Sequence, residues 1–236
     1  MNPRFTYLLV DFFCIIIPVI FSFHPKIKFN RQFRYFWKPC LFTALIFVAW
    51  DIWFTHIGIW EFNPRYVSGL YFINLPIEEV LFFICIPYAC VFTYHCLCGL
   101  VKLSPTDQGF FNALTISAII LFVAGACFFN RYYTSLTFTG LALLLLFIAR
   151  RRETFIKHFF LCYLLILIPF FISNGILTGA FTDEPIVIYN NSYNLGLRMW
   201  SIPVEDLFYG MLLLLLNVRG YESSRQKFAG DPAPPL

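Results

Sequence analysis

Seven long apolar runs constrain the fold of this chain more than any other feature of its sequence. A membrane-spanning helix needs about 20 mostly apolar residues, and runs of this kind recur here with short polar loops between them. The predicted spans cover approximately residues 5–22, 39–58, 76–97, 110–129, 134–149, 157–178 and 203–218. We therefore predict an all-α fold, a polytopic membrane helix bundle with seven transmembrane helices in one domain over residues 1–218.

The composition agrees with a lipid environment. Only 13% of the residues are charged and 59% are hydrophobic, whereas soluble domains carry about 25% charged residues. The net charge of +4 does not indicate a nucleic-acid partner, because the basic residues lie in short loops between apolar runs. The remaining segment, residues 219–236, ends in Asp-Pro-Ala-Pro-Pro-Leu, and we predict that this tail is disordered and cytoplasmic.

The distribution of lysine and arginine predicts the orientation of the bundle. Basic residues concentrate in cytoplasmic loops, and all but four of the 17 lysines and arginines fall on one side of the predicted spans. The four on the other side are Arg4, Arg65, Arg131 and Arg198. We predict a multi-pass protein of the cell membrane, with its N-terminus outside and its C-terminus in the cytoplasm.

A short acidic motif occurs twice, each time at the start of an apolar run. Residues 76–83 read Pro-Ile-Glu-Glu-Val-Leu-Phe-Phe and residues 203–210 read Pro-Val-Glu-Asp-Leu-Phe-Tyr-Gly, so both fit P-x-E-[ED]-x-x-[FY]. Proline followed by acids is ordinary at a helix start, but two copies in equivalent places favour a duplication. Ionisable groups in a membrane are functional-site candidates. The candidate catalytic residues are Glu78, Glu79, Glu205 and Asp206.

The surroundings of the two motifs also match. An apolar run that contains a notable polar residue precedes each motif, Asp51 in the first and Asn174 in the second. We predict two three-helix repeats, a known device in membrane proteins, over about residues 5–97 and 134–218, with a linking helix at about 110–129. Corresponding helices are four apart, an even number, so the repeats are parallel and both motifs lie at one membrane depth. The supporting residues are Asp51, Asn174, Pro76 and Pro203.

Carboxylates and aromatic rings are the groups left to carry chemistry. Paired carboxyl groups in a poorly hydrated site can hold one proton between them, which supplies a proton donor beside a group that stabilises a cation. Aromatic faces stabilise cations too. The predicted substrate-binding residues are Phe82, Phe83, Phe208, Tyr209, Trp50 and Trp53. No metal site is predicted, because the eight cysteines lack ligand pairing, and no G-x-G-x-x-G motif indicates a dinucleotide cofactor.

At these motifs the chain resembles the membrane-integral lycopene cyclases, over residues 1 to about 220. These enzymes occur as two small subunits, as fused chains, or as the cyclase half of fungal fusions with phytoene synthase. The resemblance implies that the four motif acids are essential, that lycopene and γ-carotene are substrates, and that no cofactor is needed. It also implies a redox-neutral reaction: an acid protonates C2 of an acyclic end, the cation closes a ring, and a base removes the C6 proton to give a β-ionone ring.

Two alternatives remain open from the sequence. A carotenoid hydratase would share the protonation step and admit water to the same cation. A small-solute or proton-coupled transporter would also carry duplicated membrane carboxylates, although helices 1, 4 and 5 have few polar groups for a pathway. A retinal-binding receptor is disfavoured because helix 7 has no lysine. The sequence leaves open homo-oligomers and association with other carotenoid enzymes.

Overall fold

A computed structural model describes residues 3–227, so the end of the predicted tail lies outside the described residues. Within this range the chain is mostly helical, with seven α-helices, two short 3-10 turns and six short strands. The helices are α1 Thr6–Ser22, α2 Phe33–His56, α3 Ile77–Leu100, α4 Gln108–Cys127, α5 Tyr132–Arg151, α6 Ile156–Leu177 and α7 Val204–Lys227. The strands are β1 Trp60–Phe62, β2 Tyr71–Phe72, β3 Leu75–Pro76, β4 Val187–Tyr189, β5 Arg198–Met199 and β6 Ile202–Pro203.

Six of the helices, α1 to α6, are long and apolar enough to cross a membrane. Helices suit this environment because they satisfy their own backbone hydrogen bonds, so the chain is a helical membrane protein. Helix α7 is not among the six, since it carries Glu205 and Asp206 in its first turn and Arg225 and Lys227 in its last. The seventh predicted span therefore stays a prediction, while the predicted helix itself is confirmed.

Helices α2 and α7 are longer than predicted. Helix α2 begins at Phe33, before the predicted start of its span. Helix α7 continues to Lys227, so the disorder predicted from residue 219 is wrong for its first part. The reason is tertiary contact: the Tyr221 side chain is completely buried, and the Arg219 guanidinium lies 3.2 Å from the Glu153 carboxylate.

The two helices that begin with the acidic motifs, α3 and α7, lie at the centre of the bundle. Helix α3 packs against α1, α2, α6 and α7, and α7 packs against α2, α3, α5 and α6. Helix α4 packs mainly on α5. Helices α3 and α7 contact each other, and Glu79 in the first turn of α3 interacts electrostatically with Asp206 in the first turn of α7, so the buried acids share one region.

A strand pair joins the loop after α2 to the loop after α6. Strands β1 and β4 are antiparallel, with Trp60 opposite Tyr189 and Phe62 opposite Val187. The middle residues of the two strands, Glu61 and Ile188, lie opposite each other, so the pairing is symmetric about the centre of the ladder. This ladder covers the end of the bundle at which the two acidic motifs lie, and it holds the loops of both halves together.

Several backbone contacts occur once in each half of the chain. The Tyr7 N–H donates to the Tyr66 carbonyl at 3.3 Å, and the Tyr133 N–H donates to the Tyr193 carbonyl at 3.0 Å. In both cases the first turn of a helix is tied to the loop that precedes an acidic motif. These contacts fix α1 and α5 in similar positions relative to α3 and α7.

Candidate active site

The two acidic motifs are delivered by similar hairpins. Strands β2 and β3 end at Pro76, and strands β5 and β6 end at Pro203; each proline is buried and the next residue begins a helix. Proline suits this position because its fixed φ angle and missing N–H are compatible with a helix start. All four predicted catalytic acids therefore lie in first helical turns, and all four are buried.

The first acid of each motif is bound to the preceding loop. Glu78 Oε1 accepts a hydrogen bond from the Ser68 N–H at 2.7 Å, and Glu205 Oε1 accepts one from the Leu195 N–H at 2.7 Å. The Thr134 hydroxyl also donates to Glu205 Oε1, at 2.6 Å. Neither glutamate lines the cavity described next. The structure thus gives Glu78 and Glu205 contacts typical of residues that hold loops in place.

The second acid of each motif faces a shared cavity. Glu79 and Asp206 line a cavity of about 640 Å³, together with Asp51 from α2. Pockets for small ligands typically measure about 300–1,000 Å³. The structure therefore brings together one carboxyl group from each motif and adds the third that the sequence indicated as a supporting residue.

Tyrosines from distant segments contact these two acids. The Tyr7 hydroxyl donates to Glu79 Oε2. The Tyr133 hydroxyl donates to Asp206 Oδ1 at 2.6 Å, and the Tyr189 hydroxyl donates to Asp206 Oδ2 at 3.0 Å. Burial and then the charge of Asp206 raise the pKa of Tyr189 well above its ordinary value, which keeps this phenol a hydrogen-bond donor at neutral pH.

Sequence reasoning missed these tyrosines. Tyr7 and Tyr133 occupy similar positions at the starts of α1 and α5, so the internal repeat was the signal that could have found them. Tyr189 is the third residue of β4, and the residue at the same position of β1 in the first half is Phe62, so the repeat offers no second tyrosine there. Only the folded structure brings its hydroxyl to Asp206.

The charges around the two cavity acids differ. Glu79 lies within electrostatic reach of two further buried carboxyl groups, Asp51 and Asp11. Asp206 accepts two phenolic hydrogen bonds and lies within reach of the Arg198 guanidinium. A carboxylate is stabilised by donors and cations and destabilised by neighbouring carboxylates. The two cavity acids therefore differ in the donors and charges that surround them. Among residues 3–227, no cluster of three or more histidine, cysteine or acidic side chains is arranged to hold a metal ion.

The predicted aromatic residues divide into two groups. Phe82 and Tyr209 line the cavity, together with Trp60, which was not predicted to contact substrate. The other four lie elsewhere: Phe83 is fully buried against Phe47, Phe208 packs on Phe138, Trp50 stacks on Phe47, and Trp53 is 47% exposed. The structure does not bring these four to the cavity surface, because their helical positions turn them towards other neighbours.

Asp51 and Asn174 occupy corresponding positions near the ends of α2 and α6. Three residues after Asp51, the Phe54 carbonyl accepts a hydrogen bond from the Ile59 N–H at 3.0 Å. Three residues after Asn174, the Leu177 carbonyl accepts one from the Ile186 N–H at 2.8 Å. Both polar residues line the cavity. The two halves thus contribute an acid at one position and a neutral amide at the other.

The residues that precede Asp51 and Asn174 in the chain differ in size, and this difference explains where the cavity forms. In α2 this position holds Trp50, whose ring packs against Phe47 and Tyr209 with centroid distances of 5.7 Å in each case. In α6 it holds Ser173, which lines the cavity. The small side chain leaves the space beside α6 open, while the indole ring fills the corresponding space beside α2.

The cavity opens towards the lipid-facing side of the bundle between α1 and α6. Three of its lining residues are also strongly exposed: Phe13 at 66%, Ile17 at 62% and Ile172 at 56%. All three are apolar and lie within helices long enough to span the membrane. A molecule dissolved in the bilayer could therefore reach the buried acids without crossing the polar loops.

The fold and this site define a membrane protein with an apolar, lipid-accessible cavity that ends in paired acids and tyrosines. The family model described as "Lycopene cyclase" matches residues 4–97 and 130–223, two repeated segments that together cover well over half of the chain. The chain belongs to the lycopene cyclase family, and the predicted resemblance is confirmed. No curated protein and no solved structure matches the chain.

Proposed function

We propose that the protein is a lycopene β-cyclase, which converts the acyclic ψ ends of lycopene or γ-carotene into β-ionone rings. Membership of the lycopene cyclase family supports a carotenoid cyclase. The observation that carries the β-cyclase proposal is the cavity, which opens to lipid at one end and presents Glu79 and Asp206 at the other. A long apolar polyene can extend into the bilayer while one end group reaches the acids.

In the proposed mechanism Glu79 is the general acid and Asp206 the general base. Glu79 gives its proton to C2 of the terminal double bond, which leaves a tertiary cation at C1. The C5–C6 double bond attacks this cation, and the new C1–C6 bond closes the six-membered ring. Asp206 then removes the C6 proton to form the C5–C6 double bond of the β-ionone ring. The assignment rests on the carboxyl groups near Glu79 and on the donors and the cation near Asp206.

Aromatic rings at the closed end of the cavity suit a cationic intermediate. Phe82, Trp60 and Tyr209 line it, and aromatic faces attract cations most strongly where water is excluded. The strand pair β1–β4 covers this end. A cation kept away from water loses a proton instead of being hydrated, and this distinguishes the proposed cyclase from a hydratase.

The proposed architecture is two parallel three-helix repeats, α1–α3 and α5–α7, linked by α4, with α7 as a seventh membrane span. The matched backbone contacts of Tyr7 and Tyr133, the symmetric β1–β4 register and the two matched family segments support it. The distribution of basic residues supports an N-terminus outside the cell membrane and a cytoplasmic C-terminus. Both motifs then lie near the outer surface.

Expression in a lycopene-accumulating host tests the proposed function. Pigments are separated by chromatography, and the amount of protein in the membrane is measured in the same cells. We expect γ-carotene and β-carotene from the unaltered protein and acyclic pigment from a matched Asp206→Asn variant. Lycopene alone, in the presence of membrane-inserted protein, would refute the proposal; hydroxylated acyclic products would identify a hydratase, and rings of another type would refute β-specificity.

A further inference from the structure

The proposed reaction ends in a choice between protons on neighbouring carbons. Ring closure forms the C1–C6 bond and leaves the positive charge on C5. If the C6–H bond breaks, its electron pair forms the C5–C6 double bond of a β-ionone ring; if a C4–H bond breaks, its electron pair forms the C4–C5 double bond of an ε-ionone ring. Because C4 and C6 are both bonded to C5, a base that turns or shifts slightly can reach either hydrogen. The position of the base therefore decides the ring type.

Both oxygens of the proposed base accept a phenolic hydrogen bond. The Tyr133 hydroxyl donates to Asp206 Oδ1 at 2.6 Å, and the Tyr189 hydroxyl donates to Asp206 Oδ2 at 3.0 Å. All three residues line the cavity. The last torsion of an aspartate side chain has only a broad intrinsic preference, so a carboxylate held at one oxygen can still turn. Two donors on different oxygens fix its plane.

The two phenols come from separate elements and are held firmly. Tyr133 lies in the first turn of α5, its side chain is fully buried, and its backbone N–H donates to the Tyr193 carbonyl. Tyr189 is the last residue of β4 and lies opposite Trp60 in the ladder. The two tyrosine rings stack with centroids 6.0 Å apart, and Trp60 packs edge to face on both, at 5.2 and 5.9 Å. Because packing holds both hydroxyls in place, they determine the direction of the carboxylate.

The acid of the first half has a different environment. Tyr7 donates to Glu79 as Tyr133 donates to Asp206. The position that Tyr189 occupies in β4 holds Phe62 in β1, and phenylalanine has no hydroxyl to donate. Glutamate also has one more rotatable bond than aspartate. An acid that delivers a proton to C2 tolerates this freedom, whereas a base that must choose between neighbouring hydrogens does not.

We propose that Tyr133 and Tyr189 are positioning residues that make the cyclase specific for β rings. They hold the Asp206 carboxylate so that it faces C6 of the newly closed ring and not C4. The proton from C6 passes to Asp206 and its electron pair stays in the ring, so no further reactant takes part. This inference rests on the proposed cyclase function, with Asp206 as its base, and adds the residues that select the product.

Removal of one phenolic hydroxyl tests the inference. Tyr189→Phe keeps the aromatic ring and reproduces the residue that β1 carries at this position. The variant is expressed in the lycopene-accumulating host, and ring types are identified by chromatography and absorption spectra, since only the β-ring double bond is conjugated with the polyene. Loss of one hydrogen bond to a charged group can change a product ratio about tenfold, and we expect the ratio of ε to β rings to rise by about this factor.

Two matched controls remove other tyrosine hydroxyls. Tyr7→Phe takes the phenol from the proposed acid Glu79, so it should lower the yield of cyclic pigment without changing the ratio of ε to β rings. Tyr88→Phe removes a buried hydroxyl that contacts Ser22 outside the cavity, and it should change neither the yield nor the ratio. A purely structural role of Tyr189 would lower the yield and leave the ratio unchanged.

The ring ratios separate this inference from the proposed function. An unchanged ratio in Tyr189→Phe, with β rings from the unaltered protein, would overturn the inference and leave the cyclase intact. Absence of β rings from the unaltered protein would overturn the β-cyclase itself. If Tyr189→Phe forms no cyclic pigment or does not accumulate in membranes, Tyr133→Phe, which frees the other carboxylate oxygen, takes its place. An unchanged ratio or the loss of all cyclic pigment in that variant would overturn the inference.

Discussion

Replacing the two adjacent acids of the first motif one at a time gives the sharpest test of the site. Glu79→Gln and Glu78→Gln make the same chemical change at neighbouring residues, since each keeps the side-chain size and removes a titratable carboxyl group. The sequence treats the two positions alike. The structure separates them, because Glu79 lines the cavity and Glu78 binds the Ser68 backbone.

The expected magnitudes follow from these contacts. Loss of a general acid typically lowers a rate by about 10²–10⁴-fold, which corresponds to about 3–5 kcal/mol of barrier, and we expect this for Glu79→Gln. In Glu78→Gln the amide oxygen can still accept from the Ser68 N–H. Exchanging a carboxylate acceptor for a neutral one weakens such a bond by about 1–2 kcal/mol, so we expect a loss of unfolding free energy of that size and less than about a tenfold loss of rate.

Two measurements separate the effects. Cyclic pigment formed per unit of membrane protein reports the rate, and thermal unfolding of the purified protein reports stability. The second motif supplies a matched repetition, in which Asp206→Asn should lose the rate and Glu205→Gln should lose mainly stability. If Glu78→Gln lost as much rate as Glu79→Gln while unfolding like the unaltered protein, the division of roles within the motif would be wrong.

Two further predictions follow from the cavity and the proposed topology. Ser173→Trp should place in α6 the large ring that Trp50 places in α2, so it should block the cavity and abolish cyclisation, whereas Ile168→Trp, at a position 67% exposed and outside the cavity, should retain it. Normal product from Ser173→Trp would show that substrate does not use this cavity. Reporter fusions after Leu75 and after Pro105 should lie on opposite sides of the membrane, outside and inside respectively; a cytoplasmic signal after Leu75 would overturn the orientation.

The sequence determined the class of fold and the location of the site along the chain. Apolar runs of about 20 residues can bury themselves only as membrane helices, so the helices were predictable from local composition. The two acidic motifs were predictable as well, because proline, adjacent acids and an aromatic recur at fixed spacing. The helix ends were less predictable, since α7 is extended by contacts such as that of Arg219 with Glu153.

Tertiary structure decided which acid of each pair faces the cavity. Consecutive helical residues point about 100° apart, so Glu78 and Glu79 must face different surroundings, but local sequence does not say which one faces the cavity. That choice depends on α1 and α5, which bring Tyr7 to Glu79 and Tyr133 to Asp206 across 72 and 73 residues of chain. The position of the cavity likewise depends on packing across the bundle, because a small side chain leaves space only where no neighbour fills it.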